Sequence, residues 1–465
     1  ATESGTQSKT ITITDNESAP TVTLSTSASS VAENGSDLTL TATLSVATTS
    51  NVTVTLTGSG TSNTGFDYVN LSTITISAGS TTGTTTFNPT DDSVYEGSET
   101  AIIAITGVSG GSATESGTQS KTITITDNES APTVALSSSS SSVSESGSNL
   151  TLTATLSVVA NVDVVVTLGA SGSATEGTHY ASLSNITISA GTTTGTAVFN
   201  PTNDNASGGN KSAVISISSL SGASASNGSP SSVTISIVDD ESTPTVTLGT
   251  SASSVAENGS NLTLTATLSV VSSDNVTVTL TGTGTSTAGT DYASLSTITI
   301  SAGSTTGTTT FNPTDDSVYE GSETAIIAIT GVSGGSATES GTQSKTITIT
   351  DNESAPTVTL STSASSVAEN GSDLTLTATL SVATTSNVTV TLTGSGTSNT
   401  GFDYVNLSTI TISAGSTTGT TTFNPTDDSV YEGSETAIIA ITGVSGGSAT
   451  ESGTQSKTIT ITDNE

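Results

Sequence analysis

The sequence repeats itself every 112 residues, which limits the chain to a row of small, similar units. The string TDNE ends at Glu17, Glu129, Glu353 and Glu465, and VDDE takes its place at Glu241. Four full repeats result: 18–129, 130–241, 242–353 and 354–465. Segment 1–17 reads as the C-terminal strand of a preceding repeat. A longer unit overlies the short one, because residues 1–129 and 337–465 are identical. The third repeat copies the first from Leu295 onward (Leu71 in the first), and the second diverges most. The chain is expected to be a window on a longer array with a three-repeat unit. Differences between adjacent repeats in that unit would limit misfolding between neighbours.

Each repeat alternates apolar and polar residues with a period of two. In the first, the apolar set is Val22 and Leu24; Leu38, Leu40, Ala42, Leu44 and Val46; Val52, Val54 and Leu56; Ile74 and Ile76; Phe87; Ala101, Ile103 and Ile105; Ile123 and Ile125. Such alternation puts apolar side chains on one face of a strand. Threonine, which fills the intervening positions, is β-branched and favours strands even where exposed. Turn signals at Glu33-Asn34-Gly35, Ser77-Ala78-Gly79 and Gly110-Gly111 separate the runs. About seven strands in a unit of this size predict an all-β, immunoglobulin-like sandwich. The joint Asn128-Glu129-Ser130-Ala131-Pro132 is short and restricted by its proline, so the sandwiches are expected end to end as a rod.

Charge narrows the function. Forty acidic residues stand against five lysines, a net charge of -35. This balance repels nucleic acid and anionic membranes and attracts cations. No run approaches the roughly 20 apolar residues of a membrane span. The chain has no Cys, Met or Trp. No catalytic triad, phosphate loop or cofactor motif is present, so no enzyme is expected. Gly107-Val108-Ser109-Gly110-Gly111 matches a nucleophile pattern, but the first repeat has no His to partner it and a hairpin loop is expected.

The acids are placed unevenly. Of ten in the first repeat, eight lie in loops beside strand ends: Glu33, Asp67, Asp91, Asp92, Glu96, Glu99, Asp127 and Glu129. A sandwich gathers alternate loops at one end, so several carboxylates would converge. Two such charges about 4 Å apart repel by roughly 4 kcal/mol at an effective dielectric near 20. A cation is needed, and calcium suits an all-oxygen donor set. Zinc would want His or Cys, which this repeat does not offer.

The combination Val-Ala-Glu-Asn-Gly (31–35), Phe-Asp-Tyr (66–68), Ile-Ser-Ala-Gly-Ser-Thr-Thr-Gly-Thr (76–84), Asp-Asp-Ser-Val-Tyr-Glu-Gly-Ser-Glu (91–99) and Asp-Asn-Glu (127–129) resembles the Calx-β domain. The resemblance extends over every repeat. It implies that the eight acids bind calcium, with Val94 offering a carbonyl oxygen. The same implication covers Glu257, Asp291, Asp315, Asp316, Val318, Glu320, Glu323, Asp351 and Glu353 in the third repeat. In the fourth it covers Glu369, Asp403, Asp427, Asp428, Val430, Glu432, Glu435, Asp463 and Glu465. The second keeps Glu145, Asp204, Asp239, Asp240 and Glu241. There His179, Asn203, Gly208 and Lys211 replace acids, so fewer or weaker ions are expected, with the Lys211 ammonium in the place of one. Together these readings describe a calcium-stabilised stalk or fibre on a bacterial cell surface or outside the cell. An adhesin region is the alternative. Self-association into filaments is allowed by the repetition.

Overall fold

The computed structural model describes residues 1, 2 and 5–465, so residues 3 and 4 of the first segment lie outside the described residues. Alternating Thr and aliphatic residues become strands wherever a partner accepts their main chain. In the first repeat these are β1 (Thr21–Thr26), β2 (Ser30–Ala32), β3 (Leu38–Leu44), β4 (Val52–Gly60), β5 (Ile74–Ile76), β6 (Thr82–Phe87), β7 (Val94–Tyr95), β8 (Glu99–Ser109), β9 (Thr114–Glu115) and β10 (Ser120–Thr126). One sheet has the order β6-β3-β1-β9 and the other β2-β10-β8-β4-β5. The same two sheet orders recur in the other three repeats.

Register keeps the apolar faces together. Val22 sits opposite Leu44, Leu38 opposite Phe87, Val52 opposite Ile76 and Ile123 opposite Ala101. Each repeat closes over its own core; the first contains Val22, Leu40, Val54, Ile74, Phe87, Ile103 and Ile123. Burying side chains of this size contributes about 1.5–3 kcal/mol each before entropy is counted. Val46 departs from the predicted pattern: β3 stops at Leu44, Ser45 N–H donates back to the Thr21 carbonyl, and Val46 is exposed. The Gly110-Gly111 pair turns the chain out of β8 with positive φ, but not into a hairpin: β9 joins the other sheet, in parallel beside β1. A Cβ at Gly110 would stand 2.1 Å from the Asn51 carbonyl oxygen, so only glycine fits.

The chain divides into two compact units, Ala1–Asp204 with Gly209–Asp240, and Asn205–Gly208 with Glu241–Glu465. Within the first unit, β7 pairs in parallel with Val159–Ala160 of the second repeat. Within the second unit, Val318–Tyr319 pairs in the same way with Ala383–Thr384. Residues 5–17 form no strand, and Ile11 and Ile13 are 84% and 92% exposed. Among the described residues, no helix is long and apolar enough to cross a membrane.

Candidate metal centre

The acids of the first repeat gather into two groups of three, each with carboxylate oxygens within 4.8 Å of one another. Glu33, Asp127 and Glu129 form one group; Asp67, Glu96 and Glu99 form the other. Short parallel pairing builds the first. β2 lies beside β10 with Val31 opposite Ile125, and Glu33 N–H donates to the Thr126 carbonyl at 3.0 Å. Residues far apart in sequence therefore leave the sheet together. Asp127 then staples the neighbouring loop: Oδ2 accepts the N–H groups of Glu96 and Gly97, each at 2.6 Å, and Oδ1 accepts Glu129 N–H at 2.8 Å.

The second group depends on an aromatic anchor. Tyr68 is buried and stacks on Phe87 with ring centroids 4.8 Å apart. Gly58 makes room for it, since a Cβ there would lie 1.9 Å from the Tyr68 hydroxyl. Main-chain bonds lock the loop on either side: Val69 N–H to the Asn88 carbonyl, and Thr90 N–H to the Asp67 carbonyl. Asp67 is thereby held toward Glu99 at the start of β8. Asp67 Oδ2 also accepts the N–H of Asn63, a local bond that shapes the loop. Asp92 Oδ1 accepts Val94 N–H at 2.7 Å, and its charge acts on Glu96. Asp91 and Asp92 are exposed and stand outside both groups of three.

The electrostatics are those of crowded anions. Burial, then the hydrogen bond with Glu129 and the charges of Asp127 and Glu129, push Glu33 up to about 8. Burial and Asp67 push Glu99 up to about 7. Glu96 is raised by burial and by the charges of Asp67 and Asp92. Among the described residues, Glu99 Oε2 and Glu129 Oε2 are buried with no hydrogen-bond donor. A buried anionic oxygen without a donor is costly. Such an oxygen fits a hard divalent cation that takes carboxylates in irregular geometry, so the residues present suit calcium.

The third repeat repeats both groups, as Glu257, Asp351, Glu353 and as Asp291, Glu320, Glu323. Glu257 is raised to about 8, first by burial and then by Glu353, and Glu323 to about 7 by burial and Asp291. Asp316 accepts Val318 N–H as Asp92 does Val94 N–H, and Asp315 is exposed like Asp91. In the fourth repeat Glu369 N–H donates to the Thr462 carbonyl, and Asp463 accepts the N–H groups of Glu432, Gly433 and Glu465. Asp428 accepts Val430 N–H, and Asp427 is exposed. Glu435 is raised to about 7 by burial and Asp403.

The second repeat keeps one group of three, Glu145, Asp204 and Glu241, and replaces acids of the other. His179 Nδ1 accepts the N–H of Thr175 at 2.8 Å, the role that Asp67 Oδ2 plays for Asn63. An imidazole nitrogen thus preserves the loop without supplying a carboxylate. Lys211 opens its strand opposite Ile237, the register that Glu99 holds opposite Ile125. Glu145 is buried, Asp239 accepts Gly209 N–H at 2.7 Å, and Asp240 accepts the Ser146 hydroxyl. Asp204 is exposed and Glu241 half-buried.

Sequence reasoning did not single out Asn161. Its N–H donates to the Tyr95 carbonyl at 3.2 Å, across the boundary between the first two repeats. No spacing within a single repeat could reveal it, because it belongs to the next one. Glu115, which lay outside the eight loop acids, accepts Gln119 N–H at 2.5 Å and stabilises the β9–β10 turn.

Fold and site define a tandem array of β-sandwiches with carboxylate clusters at strand ends. Residues 127–241 and 239–353 match the family model of the Calx-beta domain, and residues 18–128 and 355–464 match that of the LapA domain. The chain thus carries Calx-beta domains in tandem, with LapA domains on both sides of them. No curated protein matches the chain. Among solved structures, the crystal structure of CBD12 from CALX1.2 is 16% identical, covers 45% of this chain and 96% of its own, and has a TM-score of 0.22. The apo-form Calx CBD1 domain is 18% identical, covers 24% of this chain and 100% of its own, and has a TM-score of 0.22. N-cadherin EC1-4 from Drosophila is 11% identical over 91% of this chain and 94% of its own, with a TM-score of 0.18.

Proposed function

We propose that calcium binds the paired carboxylate groups of the first, third and fourth repeats and stabilises this chain as a stalk or fibre segment of a bacterial surface protein. The domain make-up, Calx-beta with LapA, fits a tandem-repeat surface or adhesion protein. The observation that carries the calcium reading is the burial of Glu99 Oε2, Glu129 Oε2 and Glu353 Oε2 without donors, each inside a group of three carboxylates. Calcium neutralises these groups and ties the β7–β8 loop to the end of β10. At a hundredfold excess over its dissociation constant, one such ion adds about 2.7 kcal/mol to folding stability. That is a large share of the roughly 5–15 kcal/mol of a small domain.

The test is thermal unfolding of the whole chain in millimolar calcium and in excess chelator, with small-angle scattering alongside. A large drop in melting temperature in chelator is the expected result. Equal melting curves would leave the acids as a solubilising rim and sink the calcium role.

Adhesion through the repeats is the second reading, favoured by one observation. Phe66 and Phe402 are 78% and 77% exposed, and Val69 and Val405 are exposed beside them. Both pairs lie in the repeats that match LapA, whereas the third repeat has Thr290 and Ala293 there. Replacing Phe66, Val69, Phe402 and Val405 by those third-repeat residues should abolish surface attachment and leave melting unchanged if the pairs are contact points.

A further inference from the structure

We propose that the group Glu33, Asp127 and Glu129 is a mechanical clamp, in which calcium ties the entry strand of a repeat to its exit strand and sets how long the repeat survives under tension. This rests on the calcium reading above and goes beyond it by giving the two carboxylate groups of a repeat different tasks.

The sheet order decides the path of the force. In a tandem array, tension enters a repeat at its first strands and leaves at its last, so it pulls β2 and β10 in opposite directions. These two strands lie side by side and parallel, with Ser30 opposite Thr124, Val31 opposite Ile125 and Ala32 opposite Thr126. Pulled this way, parallel neighbours slide along each other, and the bonds between them are loaded together rather than opened one at a time. The seam is short: Thr124 N–H to the Ser29 carbonyl at 2.9 Å and Glu33 N–H to the Thr126 carbonyl at 3.0 Å frame it. The carboxylates stand where it ends, Glu33 directly after β2, and Asp127 and Glu129 just after β10. Glu33 Oε1 also accepts Asn128 N–H at 3.3 Å. An ion held by Glu33 on one side and by Asp127 and Glu129 on the other must lose ligands before the strands can slide.

The other group lies off this path. Asp67 comes from the β4–β5 loop, and Glu96 and Glu99 from the approach to β8; none belongs to β1, β2 or β10. The second repeat separates the two groups. His179 and Lys211 replace acids of the off-path group, yet the group that survives, Glu145, Asp204 and Glu241, again links the residue after the entry strand to one beyond the exit strand. Ser142–Ser144 pairs in parallel with Ser232–Val238, and Glu145 N–H donates to the Val238 carbonyl at 3.0 Å. The parallel seam recurs in the third and fourth repeats, where Glu257 and Glu369 make the same main-chain bond at 3.0 Å. Survival under force is set by the unfolding rate, which falls when a bond must break before the barrier is reached. At a hundredfold excess of calcium over its dissociation constant, an ion lost at that point lengthens the lifetime about a hundredfold.

The test is single-molecule force spectroscopy of the full chain, held by its two ends at constant force in millimolar calcium and in chelator, with calorimetric calcium titration alongside. Calcium should lengthen the lifetimes of all four unfolding steps by up to about a hundredfold. A variant with Glu33→Gln, Glu145→Gln, Glu257→Gln and Glu369→Gln should lose this lengthening while still binding calcium at the off-path groups. A variant with Asp67→Asn, Asp291→Asn and Asp403→Asn should bind fewer ions and keep the lengthening. Lengthening retained in the glutamine variant, or lost in the asparagine variant, would overturn the clamp, and the asparagine variant decides this even if the other does not fold. Calcium binding by the wild type with unchanged lifetimes would overturn the clamp alone. Absence of calcium binding by the wild type would overturn the calcium reading itself.

Discussion

At the residue scale, the carboxylates give the ion-free protein a defined response to pH. Glu33 is raised from an ordinary value of 4.5 to about 8 and Glu99 to about 7, so the folded state holds protons that the unfolded state releases. Below about pH 4.5 both states are protonated and these groups cost nothing; as pH rises toward 8 the folded state is progressively penalised. In chelator, the melting temperature should therefore fall between about pH 5 and 8, and saturating calcium should abolish that fall. A melting temperature in chelator that is flat or rises across this window would show that the glutamates are not crowded in solution. The acids were legible one by one, because eight of ten sit at strand ends. Their division into two groups, with Asp91 and Asp92 outside both, was not, since it depends on which loops the sheets bring together.

At the element scale, the site is only as firm as the strands behind it. Tyr68 and Phe87 stack in the core directly behind Asp67. Phe87→Ala should cost about 3–5 kcal/mol, as large aromatic deletions in cores do. Denaturant unfolding should show this as an early transition of one repeat, and calcium should bind that repeat more weakly because the Asp67 loop loses its anchor. Unchanged unfolding would mean that the loop, not the ring pair, holds Tyr68. The seven main strands were legible from the period of two. β2, β7 and β9 were not, because elements of two or three residues take their conformation from a partner strand. β2 nevertheless matters most to the ion site, since it delivers Glu33 to Asp127.

At the scale of the whole molecule, calcium dependence should differ from repeat to repeat. The second repeat has His179 and Lys211 where the others have acids, in loops that keep their shape. Its unfolding should respond least to chelator, because it holds one group of three carboxylates where the first and third repeats hold two, a difference that calorimetry can resolve. Combining His179→Asp with Asn203→Asp, Gly208→Glu and Lys211→Glu should raise the calcium stoichiometry of the chain. No increase would mean that ion binding needs more than the acids themselves. Sequence alone marked the second repeat as deviant. It did not show that His179 replaces a hydrogen bond as well as discarding a charge, because the bond to Thr175 lies in the folded loop.

The repeat, the all-β class, the core alternation and the acidic strand ends were determined by the sequence itself. They are local or periodic, and short-range chemistry is enough to express them. Tertiary structure decided what a given string becomes. β2 is a three-residue run that its own sequence does not mark as a strand; lying beside β10 it becomes one, and it brings Glu33 to Asp127 and Glu129. A β-strand needs a partner for its main-chain groups, and the sequence of a strand does not contain its partner.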